Sequence, residues 1–214
     1  CKATATTGIY TLTLHDGLPI YMKTNIAILI VSFLSLNMIN SQGKMEEKLP
    51  YYEIPEYPET YTAGTVAARM VDGLGFRYYW ATEGLRDEDL AYKPSEEART
   101  TAETIDHIYG LSKVIVNSTL MKPNSRAEEP EMSFAEKRKK TLENIKTAAD
   151  ILRASKDVSE FKIIFGTNEY PFWNQLNGPI ADAIWHCGQV ISFRRASGNP
   201  YNSKASVFSG KVKE

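Results

Sequence analysis

Apolar residues recur at helical spacing in four stretches of this chain, separated by polar, proline- and glycine-containing connections. The first stretch covers residues 62–83, where Val66, Met70, Leu74, Tyr78 and Ala81 fall on one face, although Gly73 and Gly75 lower its intrinsic helix propensity. The second opens on a capping-box pattern, Thr100-Thr101-Ala102-Glu103, and runs to about residue 120 with Ile105, Ile108, Leu111, Ile115 and Thr119 inward. The third, residues 133–154, begins with the same signature, Ser133-Phe134-Ala135-Glu136. Its inner face is Phe134, Leu142, Ile145, Ala149 and Leu152, and its charged run 136–140 reads as a solvated face. The fourth spans residues 172–196, with Gly178-Pro179 either kinking it or opening its second half, and Gly198-Asn199-Pro200 stopping it.

Between these stretches, residues 84–94 read as a connection, 123–130 as a loop, and 161–165 as a short extended segment ended by Gly166. Four amphipathic helices with almost no strand predict an all-α fold, a four-helix bundle over residues 61–198. The long connection between the third and fourth helices predicts one crossover there. Residues 43–60 form an arm rich in Pro, Tyr and Glu, which Pro50, Pro55 and Pro58 keep extended and whose tyrosines are expected to lie along the domain. Residues 199–214 follow as a C-terminal tail.

The N-terminal region has a different pattern. A lysine at position 23 precedes an apolar run over residues 26–36 and then Asn40-Ser41-Gln42, so residues 22–42 read as a secretory signal peptide. The run is too short for a bilayer span, which takes roughly 20 residues. The expected location is therefore exported, periplasmic or extracellular, with an uncleaved anchor as the alternative. Residues 1–21 precede the natural initiator Met22 and read as upstream sequence translated in frame; His15 falls there. What remains contains a single cysteine, Cys187, and so no internal disulfide. A formal net charge of −1 leaves no basic excess for nucleic acid.

Candidate chemistry concentrates in the fourth helix, in Asp182-Ala183-Ile184-Trp185-His186-Cys187-Gly188-Gln189. Asp182 and His186, four residues apart, share one helix face about 40° apart. His107, on the inner side of the second helix, would complete a three-ligand site with open positions if the two helices pack together. Gln189 lies about 60° beyond His186, placed to touch a bound water or to donate to a ligand carboxylate. The competing reading is a surface ion pair, but the apolar neighbours Ile180, Ile184, Val190 and Ile191 argue that these polar groups are partly buried and need partners. Other residues carry weaker expectations. Asp106 points about 100° away from His107, and Cys187 reads as a packed small residue. Tyr78, Tyr79 and Trp80 read as core or pocket wall. Arg194 and Arg195 read as an anion site or as partners of acids near a helix C-terminus.

His186-Cys187-Gly188-Gln189, followed by Val190-Ile191-Ser192-Phe193-Arg194-Arg195-Ala196-Ser197-Gly198, resembles the signature of the DinB/YfiT-like superfamily of metal-binding four-helix proteins. Its last helix carries His-x-x-x-His-x-Gly-Gln and a "Leu-Arg-x-x-Gly"-like ending. His107-Ile108 is similar to the "His-Ile" context of that superfamily's earlier ligand, and the likeness extends over most of residues 62–198. It implies His107 as first metal ligand and His186 as last, with Asp182 where the family usually has histidine. The aspartate either keeps the site as two imidazoles and a carboxylate, suited to Fe(II), Mn(II), Zn(II) or Ni(II), or marks a site that has degenerated. The resemblance implies a metal-dependent hydrolase acting on a small molecule of unknown identity, or a metal-dependent thiol-S-transferase. Export disfavours the latter, because low-molecular-weight thiols are mainly intracellular. The alternative of a different class is a non-catalytic metal- or ligand-binding bundle, in which the arm and residues 207–210 serve as interface in a homodimer.

Overall fold

The computed structural model describes residues 48–125 and 130–214. Residues 22–42, read from the sequence as a signal peptide, the segment before them and the start of the arm lie outside the described residues. The chain is mostly helical: α1 (Ala63–Thr82), α2 (Asp87–Ala91), α3 (Thr101–Thr119), α4 (Phe134–Ala154), α5 (Phe172–Gln175) and α6 (Ala181–Ala196). Two small hairpins accompany them, β1 (Ile163–Phe165) with β2 (Asn168–Tyr170), and β3 (Ala205–Ser206) with β4 (Lys211–Val212).

Local sequence sets the helix starts as expected. Thr100 and Ser133 each accept from the backbone N–H three residues on, while Glu103 and Glu136 reach back to the cap. At Thr62 the reciprocal partner is Thr65. The long helices pack in the cyclic order α1, α4, α3, α6. Side-chain pairs fix their directions. Arg138 bonds Thr82 and Arg153 bonds Asp72, so α4 runs antiparallel to α1. Lys137 meets Asp106 and Asn144 meets Ser112, so α4 runs parallel to α3. The crossover therefore lies between α3 and α4, not between α4 and the last helix as the sequence predicts. The α4-to-α6 connection is long for a local reason: it holds a 3₁₀ turn, Val158–Glu160, and the β1–β2 hairpin.

The main core takes Val71, Leu74 and Tyr78 from α1, Ile105, Ile108 and Ile115 from α3, Leu142, Ile145 and Leu152 from α4, Ala183 and Val190 from α6, and Ile180 from the turn just before it. The face predicted for α1 is rotated at its start. Ala67, Ala68 and Val71 face inward, whereas Val66 and Met70 stay 49% and 41% exposed. Alanines let α4 approach there, and Gly64 does the same: a Cβ on it would meet the backbone carbonyls of Leu152 and Ser155. Gly75 leaves the room that the ring of Tyr51 occupies. The Tyr51 hydroxyl donates to Asp72, which also pairs with Arg153 at 2.6 Å.

The arm and tail pack on each other, giving each an intramolecular partner. Ile54 N–H donates to the Gly210 carbonyl at 2.8 Å, and Val212 N–H donates to Glu53 at 2.9 Å. Ile54, Phe76, Trp80 and Ala205 form a second, smaller core beneath them. Tyr51 and Tyr52 lie along the domain as expected, while Tyr57 and Tyr61 remain exposed.

Three departures from the sequence reading share a cause: buried charge placed by tertiary contacts. Arg138, in the run read as solvated, is buried, donates to Thr82 Oγ1 at 2.9 Å and lies over the Tyr79 ring. Residues 87–91, read as connection, form α2 around Asp89, which is fully buried. Its carboxylate accepts from Arg86, Ser197 and Asn199. Arg194, expected to meet an anion or an acid, instead donates to the carbonyls of Trp80, Ala81 and Glu83, filling the acceptors left at the end of α1. Among the described residues, no helix is long and apolar enough to cross a membrane.

Candidate metal centre

The site depends on a break in the last helical stretch. Pro179 disfavours helical backbone at the residue before it, and Gly178 sits at φ −96°, ψ −109° within a π-type turn, Leu176–Ile180. α6 then restarts, with Asp182 in its first turn, where a carboxylate is favoured by the helix dipole. His186 follows one turn later. Opposite, α3 runs antiparallel to α6: Gln175 bonds the Ile115 carbonyl near one end, and His107 meets Asp182 nearer the other.

His107 Nε2 lies 3.1 Å from Asp182 Oδ2, and His186 Nε2 lies 3.2 Å from Asp182 Oδ1. The two imidazole rings stand edge to face, with centroids 4.6 Å apart at 89°. One nitrogen from each histidine and one carboxylate oxygen all fall within 4.8 Å of one another. The predicted triad is therefore assembled, and among the described residues it is the one such group of three or more metal-capable side chains. The His186 side chain is 14% exposed, against 35% for His107 and 40% for Asp182, so the cluster opens to solvent on the His107–Asp182 side.

Gln189 plays a more specific part than its position on the helix predicts. Its Oε1 lies 2.6 Å from His186 Nδ1, so that nitrogen is the one that carries a proton and donates. A neutral imidazole then turns its Nε2 lone pair toward Asp182 Oδ1. Two acceptors 3.2 Å apart repel unless a cation stands between or beside them. Either a proton or a metal ion meets that need.

The three side chains could hold a divalent metal ion. Bonds of about 2.0–2.2 Å to nitrogen and oxygen put neighbouring donors roughly 3.0–3.5 Å apart; each Asp–His separation falls in that range, through a different carboxylate oxygen. Two neutral imidazoles and one carboxylate offer borderline ligands suited to Zn, Fe, Mn or Ni.

The remaining singled-out residues stand apart from the cluster. Asp106 pairs with Lys137 on α4. Cys187 is buried, and burial pushes its thiol up to about 12, so it is a packing residue. Tyr78 is buried in the main core, and Trp80 in the smaller one. Tyr79 packs against both cores from a partly buried position. Comparison of the chain with protein-family models, with curated proteins and with solved structures finds no match.

Proposed function

We propose that this protein is an exported, metal-binding four-helix bundle of the DinB/YfiT-like type, and that it is a metal-dependent hydrolase of a small molecule. The observation that carries the reading is the convergence of His107, Asp182 and His186 from two antiparallel helices, with Gln189 holding the imidazole of His186. Asp182 takes the place of a family histidine without opening the cluster, since each of its oxygens faces a different ring. When bound, a divalent ion at such a site supplies Lewis acidity toward water or a substrate oxygen. The chain's own contribution is to fix both imidazoles through Asp182 and Gln189, and to leave one side of the cluster open to solvent.

A second reading, a non-catalytic metal-binding bundle, has an observation in its favour. Among the described residues no further Asp, Glu or His joins the three donors, so none of them adds a separate general base to the cluster. A hydrolysis screen separates the two. Protein loaded with Zn2+, Ni2+, Mn2+ or Fe2+ is assayed on carboxylic esters, amides and phosphoesters, with and without an added small thiol. The hydrolase reading predicts turnover without thiol that falls by on the order of 100-fold in Asp182→Ala. Turnover only with thiol would favour transfer, and metal uptake with no turnover would favour the binder.

A further inference from the structure

The face of α6 that carries Ile184, Cys187, Gly188 and Ile191 is not the face that carries Asp182 and His186. These residues recur at i, i+3, i+4 and i+7 and meet α1 at Phe76, Arg77 and Trp80, with Tyr201, Ala205 and Val207 of the C-terminal segment closing the third side. Together with Arg195 they line an open cavity of about 270 Å³. Gly188 presents no side chain on this face, and a Cβ there would meet open space. The walls are apolar and firmly placed. Phe76 is fully buried, Trp80 is 6% exposed, and the indole N–H of Trp80 is already donated to the Tyr52 carbonyl. The indole ring therefore offers the cavity only apolar surface.

Two arginines, Arg77 and Arg195, line the same cavity. Arg77 donates to the Gly73 carbonyl at 2.9 Å, and Arg195 lies over the Tyr201 ring at 5.3 Å. Neither pairs with a carboxylate among the described residues, whereas Arg86, Arg138 and Arg153 each do. The chain has 25 Lys and Arg against 26 Asp and Glu, so two unpaired guanidiniums at one cavity do not reflect a surplus of basic residues. Each keeps planar N–H donors of the kind that bind carboxylate or phosphate in pairs. The larger groove along the start of α1, about 530 Å³ between Val66, Met70, Trp173 and Leu176, has no cation in its lining.

We infer that the α1–α6 cavity is a binding site for a small amphipathic anion, its apolar body among Phe76, Trp80, Ile184 and Ile191 and its carboxylate or phosphate head on Arg77 and Arg195. The volume is just below the usual range for ligand pockets, roughly 300–1,000 Å³, which favours a single ring or a short chain. The site is separate from the metal centre, because none of His107, Asp182 and His186 lines it.

The test is calorimetric titration of the full chain with octanoate, octyl phosphate, 1-octanol and octylammonium. The inference predicts saturable binding of one or both anions at one site per chain, and at least about tenfold weaker binding of the alcohol and the amine. A preference between the two anions identifies the head group. Arg77→Gln with Arg195→Gln should weaken anion binding about tenfold or more, while Arg77→Lys with Arg195→Lys restores part of it. Ile191→Trp, which fills the apolar end, should remove binding, with circular dichroism checking that each variant is folded. No saturable binding of either anion, or equal binding in the glutamine double variant, would overturn the inference.

Discussion

Asp182 holds the candidate metal centre together because its two oxygens face two different imidazoles, at 3.1 and 3.2 Å. Replacing it with alanine removes the only carboxylate in the set, while histidine restores the donor expected from the family resemblance. Asp182→His is therefore expected to retain zinc uptake that Asp182→Ala loses, as read by elemental analysis after chelator treatment and reloading. Gln189 acts at one remove, by fixing the proton of His186 on Nδ1. Gln189→Leu should weaken metal affinity about 10–100-fold without abolishing it. Cys187 makes a contrasting case: with its thiol buried and pushed up to about 12, it should react with a thiol reagent at pH 8 only when the protein is unfolded. The three donors were legible from spacing, because an i, i+4 pair fixes one face of a helix and only one other histidine lies in a helical stretch. The role of Gln189 was not, since a helical wheel gives direction but cannot say which atom a side chain reaches.

The elements meet at a buried charge network that joins α2 and the ends of α1 and α6. Asp89 has no exposed surface, and the hydrogen bonds from Arg86, with those from Ser197 and Asn199, hold its carboxyl far below the usual carboxylate range. A depressed carboxyl contributes stability above its unfolded value, about pH 3.9, and loses it as the pH falls toward its folded value. Asp89→Asn should therefore cost about 3 kcal/mol at neutral pH, measured by urea unfolding, and the gap from wild type should narrow in acid. Helix starts were legible because caps are local: Thr100 with Glu103 and Ser133 with Glu136 behave as their spacing predicts. α2 and the burial of Arg138 were not, because both depend on partners more than 50 residues away in sequence, such as Thr82 for Arg138 and Ser197 for Asp89. The inward face of α1 was misread at Val66 and Met70 for a related reason. Hydrophobicity alone favours the larger side chains, but close approach of α4 selects Ala67 and Ala68.

For the whole molecule, the cyclic order of helices makes α3 and α6 neighbours running in opposite directions, which is what lets residues 75 positions apart share one site. The crossover that produces this order lies between α3 and α4, and connection length alone pointed to the wrong place. An ion held by donors from both helices ties them together and favours the folded state by mass action, about 2.7 kcal/mol at a free concentration 100 times its dissociation constant. Thermal unfolding should accordingly shift upward with added metal in wild type and not in His186→Ala. The measurement that tests the central claim most directly is calorimetric titration of chelator-treated protein with Zn2+, run on wild type and on His107→Ala, Asp182→Ala and His186→Ala. The account predicts one ion bound per chain in wild type and loss of that binding in each variant. No saturable uptake by wild type, or uptake unchanged in all three variants, would contradict it.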